Sequence, residues 1–291
     1  MPFRSMAIAL VTCFVLVSAA VAGAQQPLNW SADDGKRVES LEKGGTRVDG
    51  TRVILWFPPS LSRRDVEALV KRLDPAVEGL WQRVGVHGWQ AVRKGKITYY
   101  LHDDAFVSHA SGRSAVFVPM ARVKDGRAPF LHEATHELLF STRRAPAPTD
   151  GTTPVVRPLW LTEGLADYIA RLVADQLGIT EEGPFGTPNL SSIDTVCAER
   201  ARTPDGATML PFVGANARPD VLFTTERPTF APTFYSCSFS FTKHLAERVG
   251  LESLIDLFAL PPVDSVARLD GVAGKPLSLV VTEWRTRLGL Q

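Results

Sequence analysis

Residues able to hold a metal or act as a nucleophile are scarce in this chain. Six histidines and three cysteines occur in 291 residues, and no two cysteines form a Cys-x-x-Cys pair. A cysteine-ligated metal or a thiolate nucleophile therefore lacks its usual pattern. Excess charge is missing too. The formal net charge is +1, and beyond Arg4, the one charged side chain in residues 1–24, 31 basic groups face 31 acidic ones. Such a balance gives no footing for nucleic acid or for a polybasic hold on a membrane. No internal repeat or low-complexity tract is present.

One apolar run is long. "MAIALVTCFVLVSAAVAGA" follows Arg4 and ends in Ala22-Gly23-Ala24, an A-x-A cleavage pattern that makes Gln25 the new N-terminus. The reading is a signal peptide over residues 1–24 and an exported protein, periplasmic or extracellular, with no stable membrane insertion after cleavage. A retained anchor is the alternative, since the run nears the length of a span, but no basic flank follows it. Cys13 lies inside the run behind Thr12 and belongs to the discarded segment. Cys197 and Cys237 remain, and in an exported chain they are expected to pair as a disulfide.

The length suits a single domain over residues 25–291 with a sizeable core. Its first part, about 50–142, mixes strands and helices, and its second, about 158–291, is mainly helical. "TRVILWF" (51–57), "KITYYLHD" (96–103) and "SAVFVPMARV" (114–123) read as strands, the last broken or placed at an edge by Pro119. Between the first two, Leu61, Val66, Leu69, Val70, Leu73, Val77, Leu80, Trp81 and Val84 recur at helical spacing after Ser62, a good N-cap. Pro75 is expected to kink or divide that helix. Helices are expected at about 128–141, at 159–178 with Gly178 as its stop, around "SSIDTVCAERA", and in three C-terminal segments: "SFSFTKHLAERVG", "LESLIDLFAL" and "PLSLVVTEWRTRLG". Residues 143–158 and much of 183–234 are rich in turn formers and read as loops bordering a cleft. Strands first and helices later predict an α+β fold with a small, mostly antiparallel sheet.

Chemistry concentrates in "FLHEATHELLF", residues 130–140. Four residues on a helix turn about 400°, so His132 and His136 share a face one turn apart and can converge on one Zn²⁺. Glu133, beside the first histidine, is placed to take a proton from an attacking water. The competing reading is an amphipathic helix with polar groups in solvent. A chance His-Glu-x-x-His arises on the order of once in a hundred such chains, so a second signal is needed. A third histidine further along is excluded, because position 139 is Leu and position 142 is Thr. "WLTEGLADY" supplies Glu163 early in the next helix as third ligand. Asp167, one turn later, is placed to hydrogen-bond a ligand imidazole. Two carboxylates on an otherwise apolar face need partners.

"HEATH" followed by "WLTEGLADY" resembles the gluzincin zinc metallopeptidases, whose sites combine His-Glu-x-x-His with a downstream glutamate. The Trp-Leu-x-Glu-Gly-Leu-Ala wording is similar to the aminopeptidase-like, peptidase MA-like branch. The match is strong over 130–170 and loose over 95–290. It implies thermolysin-like active-site helices, one Zn²⁺ held by His132, His136 and Glu163, Glu133 as general base, and a peptide or protein substrate. It also implies that Tyr235 donates to the oxyanion, since "YSCSFSF" matches the branch's Tyr-x-x-x-x-Ser-Phe. Two departures stand out. Thr162 replaces a common Asn, and the Gly-x-Met-Glu-Asn motif that binds a free amine is absent, so aminopeptidase specificity is not carried over. The resemblance further implies that strand 114–123 is an exposed edge able to align an extended peptide, with Ser111 to Ser114 shaping a subsite. Tyr235 could instead be a core aromatic, and His244 is the second oxyanion candidate. His87, His102 and His109 lack a spacing partner. The alternatives in function are a non-catalytic zinc-stabilised binding module and a zinc amidase acting on cell-wall peptides.

Overall fold

The computed structural model describes residues 31–84, 95–140, 157–180, 189–215, 226–258 and 262–290, with isolated positions between them. The signal reading at 1–24, His87 and most of the 143–158 loop lie outside the described residues. Among the described residues, no helix is long and apolar enough to cross a membrane.

The architecture is α+β. Helix α1 (Ala32–Gly44) leads into β1 (Thr46–Asp49) and β2 (Val53–Phe57), then α2 (Arg63–Val84), β3 (Ile97–His102), β4 (His109–Ala110) and β5 (Ala115–Pro119). Helices follow: α3 (Met120–Lys124), α4 (Phe130–Phe140), α5 (Leu159–Leu177), α6 (Ile193–Ala201), α7 (Pro204–Met209), α8 (Phe230–Val249), α9 (Leu251–Phe258), α10 (Pro262–Ala273) and α11 (Leu277–Arg287). The strand order is β1-β2-β3-β5-β4. β1/β2 and β5/β4 pair antiparallel, but β2/β3 and β3/β5 pair parallel. The sheet is thus mixed rather than mostly antiparallel. The cause is α2, whose length lets the chain cross the sheet face and return β3 beside β2 in the same direction.

Strand β5 is not an exposed edge. All five of its residues are buried, and the two-residue β4 covers its flank. The strand also stops at Pro119, after which the chain winds into α3 instead of continuing to residue 123. A residue without an N–H ends the ladder, and the apolar pattern of 120–123 serves a helix.

Pro75 does not divide α2, which runs unbroken over 22 residues. Its buried face, from Val66 through Leu73, Ala76 and Val77 to Val84, passes across the proline without a gap. That packing outweighs the roughly 3 kcal/mol an interior proline costs. Asp74 adds a tether, its carboxylate accepting the N–H groups of Thr51, Arg52 and Val53 at 2.7, 2.8 and 3.0 Å. At the helix start Ser62 caps as expected, its Oγ accepting from Asp65 N at 3.2 Å.

The hydrophobic core is continuous from β2 and β3 through α2, α4 and α5 to Trp284 of α11. Cys197 of α6 and Cys237 of α8 form a disulfide. Gly178, at φ 63°, stops α5 where expected.

Candidate metal centre

Helix α4 is fixed before it reaches the site. Tyr99 of β3 donates its hydroxyl to the carbonyl of Phe130 at 3.2 Å, and its ring meets that of Phe130 edge-on. Leu131, Ala134 and Leu138 sink into the core, which leaves His132, Glu133 and His136 on the remaining arc. All three are nonetheless buried, at 3%, 5% and 5% exposure. Such burial of polar groups demands partners.

Helix α5 supplies them by lying very close to α8. A Cβ at Gly164 would stand 2.4 Å from the carbonyl oxygen of Ser238 and 2.3 Å from Thr242 Oγ1. Only glycine permits this approach, and the residue before it is Glu163. Its Oε2 lies 3.3 Å from His132 Nε2 and 3.2 Å from His136 Nε2, while the two nitrogens are 3.0 Å apart. Glu163 keeps 13% of its side chain exposed.

His132, His136 and Glu163 form a group that could hold a metal ion, with their ligand atoms within 4.8 Å of one another. The donor set fits. Ligands about 2.0–2.1 Å from one tetrahedral ion stand a little over 3 Å apart, as these atoms do. The tautomer fits as well. His132 Nδ1 donates to Asp167 Oδ1 at 2.8 Å, which turns the Nε2 lone pair toward the shared point. Burial alone would push the His132 imidazole toward its neutral form, but the charge and hydrogen bond of Asp167 reverse this and raise its pKa. Burial likewise works against ionising Glu163, yet His136 and the hydrogen bonds of both imidazoles hold its carboxyl well below the usual range. The carboxylates of Asp167 and Glu163 thus favour positive charge on the His132 ring they face.

The group opens on a cavity of about 240 Å³. Glu133 lines it, with its pKa raised by burial against the opposing pull of His132 and His136. Tyr235 of α8 lines it too, its ring 6.2 Å from that of His132. Burial and the charges of Glu163, Glu133 and Asp167 make the Tyr235 proton hard to remove, so the phenol remains a donor at neutral pH. Tyr235 sits in the second turn of α8 rather than at its start. Phe185 and Phe223 complete this side, with ring centroids 4.7 and 6.5 Å from Tyr235.

The opposite wall comes from the sheet: Val107, Ser108, His109 and Ala110 of β4 and its approach. His109, which had no partner by spacing, bonds the carbonyl of Val107 at 2.9 Å and the carboxylate of Asp34 on α1 at 3.2 Å. His244 does not reach the cavity. It lies further along α8 among Glu247, Arg248, Glu283 and Arg287. His102 accepts from Asp104 N at 3.1 Å in a turn.

Two residues escaped the sequence reading. Arg122 of α3 lines the cavity beside Glu133 and Tyr235. Glu137, fully buried, accepts from Gly112 N at 2.7 Å, Ser114 N at 2.6 Å and Ser111 Oγ at 3.2 Å. Its position four residues after Glu133 was the one available signal. No protein-family model matches the chain, and no curated protein matches it.

Proposed function

We propose that the protein is an exported zinc metallopeptidase that hydrolyses peptide bonds. The observation that carries this reading is the convergence of His132, His136 and Glu163 within 3.3 Å of one another at the floor of a cavity that Glu133 also lines. Two imidazoles and one carboxylate suit zinc among the common divalent ions. The cluster has three protein ligands among the described residues, the number usual for a catalytic rather than a structural zinc. Bound there, zinc would supply Lewis acidity that polarises a carbonyl and makes water a nucleophile near neutral pH.

The chain's own groups divide the remaining work. Asp167 holds His132 in the ligating tautomer. Glu133 accepts the proton of the attacking water and delivers it to the leaving amine. Burial raises its pKa, which brings the two halves of that shuttle closer in energy at neutral pH. Tyr235, kept protonated, donates to the oxygen on which negative charge develops. Phe185, Phe223 and Val107 give the mouth an apolar rim, and the 240 Å³ space admits part of a longer molecule rather than a whole drug-sized ligand.

Replacing Glu133 with Gln tests the assignment. The variant should bind zinc as the parent does and lose about 10²–10⁴-fold in peptide hydrolysis, followed with a quenched fluorescent peptide library. Equal rates for variant and parent would remove Glu133 from the role of base.

A further inference from the structure

Glu137 belongs neither to the metal-ligand group nor to the proposed proton path, yet its side chain is wholly buried. Residues four apart on α4 share a face, so Glu133 and Glu137 stack one turn apart toward the β4–β5 hairpin. Glu133 opens on the cavity, and Glu137 lies against the turn 111–114. That turn uses every backbone donor. Ser111 N reaches Ala115 O at 2.9 Å and Arg113 N reaches Ser111 Oγ at 3.0 Å. Gly112 N and Ser114 N divide the two oxygens of Glu137 between them at 2.7 and 2.6 Å. Ser114 has φ 63°, the sole positive φ outside glycine among the described residues. A left-handed serine persists where its surroundings over-determine it, and such strain gathers at functional segments. Immediately before the turn, residues 107–110 form the cavity wall opposite the ligand helices.

We propose that Glu137 is a positioning residue. By clamping the 111–114 turn to the ligand helix it sets the 107–110 wall at the spacing from the metal centre that a substrate backbone requires. The clamp stands on the contacts alone, whereas its service to substrate rests on the peptidase reading. The carboxylate suits the task because it offers an acceptor to each of two N–H groups. A Gln would set an NH₂ group against one of them, and an Ala would leave both unpartnered.

The test uses the zinc-loaded full chain and the variants Glu137→Gln and Glu137→Ala. Amide hydrogen exchange at Gly112 and Ser114 should rise about tenfold or more, with zinc content unchanged. On a fluorogenic peptide that the parent cleaves, KM should rise about tenfold while kcat stays within about threefold. If Glu137→Ala does not fold, Glu137→Gln decides. Unchanged exchange at both amides, or loss of zinc, overturns the clamp. Faster exchange with KM within about twofold of the parent overturns its service to substrate. A parent chain inert toward all peptides overturns the peptidase reading and the substrate half with it, while exchange still decides the clamp.

Discussion

Two unlike regions face each other across the cavity. On one side, α4 and α5 carry the metal-ligand candidates on regular helix, where spacing dictates which side chains share a face and helix packing brings Glu163 to the two imidazoles. On the other, the wall at 107–110 includes a two-residue strand and runs into a turn at 111–114 whose amides bond a carboxylate 23 residues or more away in sequence. Within each helix the first region is set by local spacing, whereas the second takes its shape only in the folded chain. The difference implies that the ligand side should fail through helix packing, and the wall through loss of single long-range hydrogen bonds.

The most damaging way to break the ligand side leaves every ligand in place. Gly164→Ala drives a methyl group to 2.4 Å from a backbone carbonyl of α8, and backbone cannot swing aside as a side chain can. The variant should lose about 1–3 kcal/mol of stability, read by denaturant unfolding, and bind zinc more weakly because Glu163 moves with its neighbour. Parent-like stability and zinc affinity would show that the close crossing of α5 and α8 does not set the ligand. A gentler break is Asp167→Asn. It removes the charge that orients His132 but keeps the size, and zinc affinity should fall about 10–100-fold in a chelator competition. No change would mean that core packing alone orients the imidazole.

The same contrast explains what was legible in the sequence. His132, His136, Glu163 and Asp167 could be placed because they recur at helical spacing within two long apolar patterns. Tyr235 came from wording shared with a known branch, and the structure brings it to the cavity. His244, the second candidate, lies nine residues beyond Tyr235 on α8, about two and a half turns on, and is not among the residues lining the cavity. The wall was illegible. Residues 109–110 are too short to show alternation, and nothing near Gly112 or Ser114 in sequence points to Glu137. Helix α1 was missed because it buries only Asp34, Val38 and Leu41, too few to mark an amphipathic face. The parallel pairings of β3 depend on where α2 returns the chain, which the pattern of β3 itself does not encode.

Zinc K-edge X-ray absorption on the full chain, stripped with a chelator and reloaded, tests the central claim most directly. The account predicts one tightly held zinc per chain, bound by two imidazole nitrogens and a carboxylate oxygen at about 2.0–2.2 Å with a further light-atom ligand. It also predicts that Glu163→Ala weakens that binding. Failure to bind zinc in stoichiometric amount, or identical spectra and affinity for parent and Glu163→Ala, would contradict it.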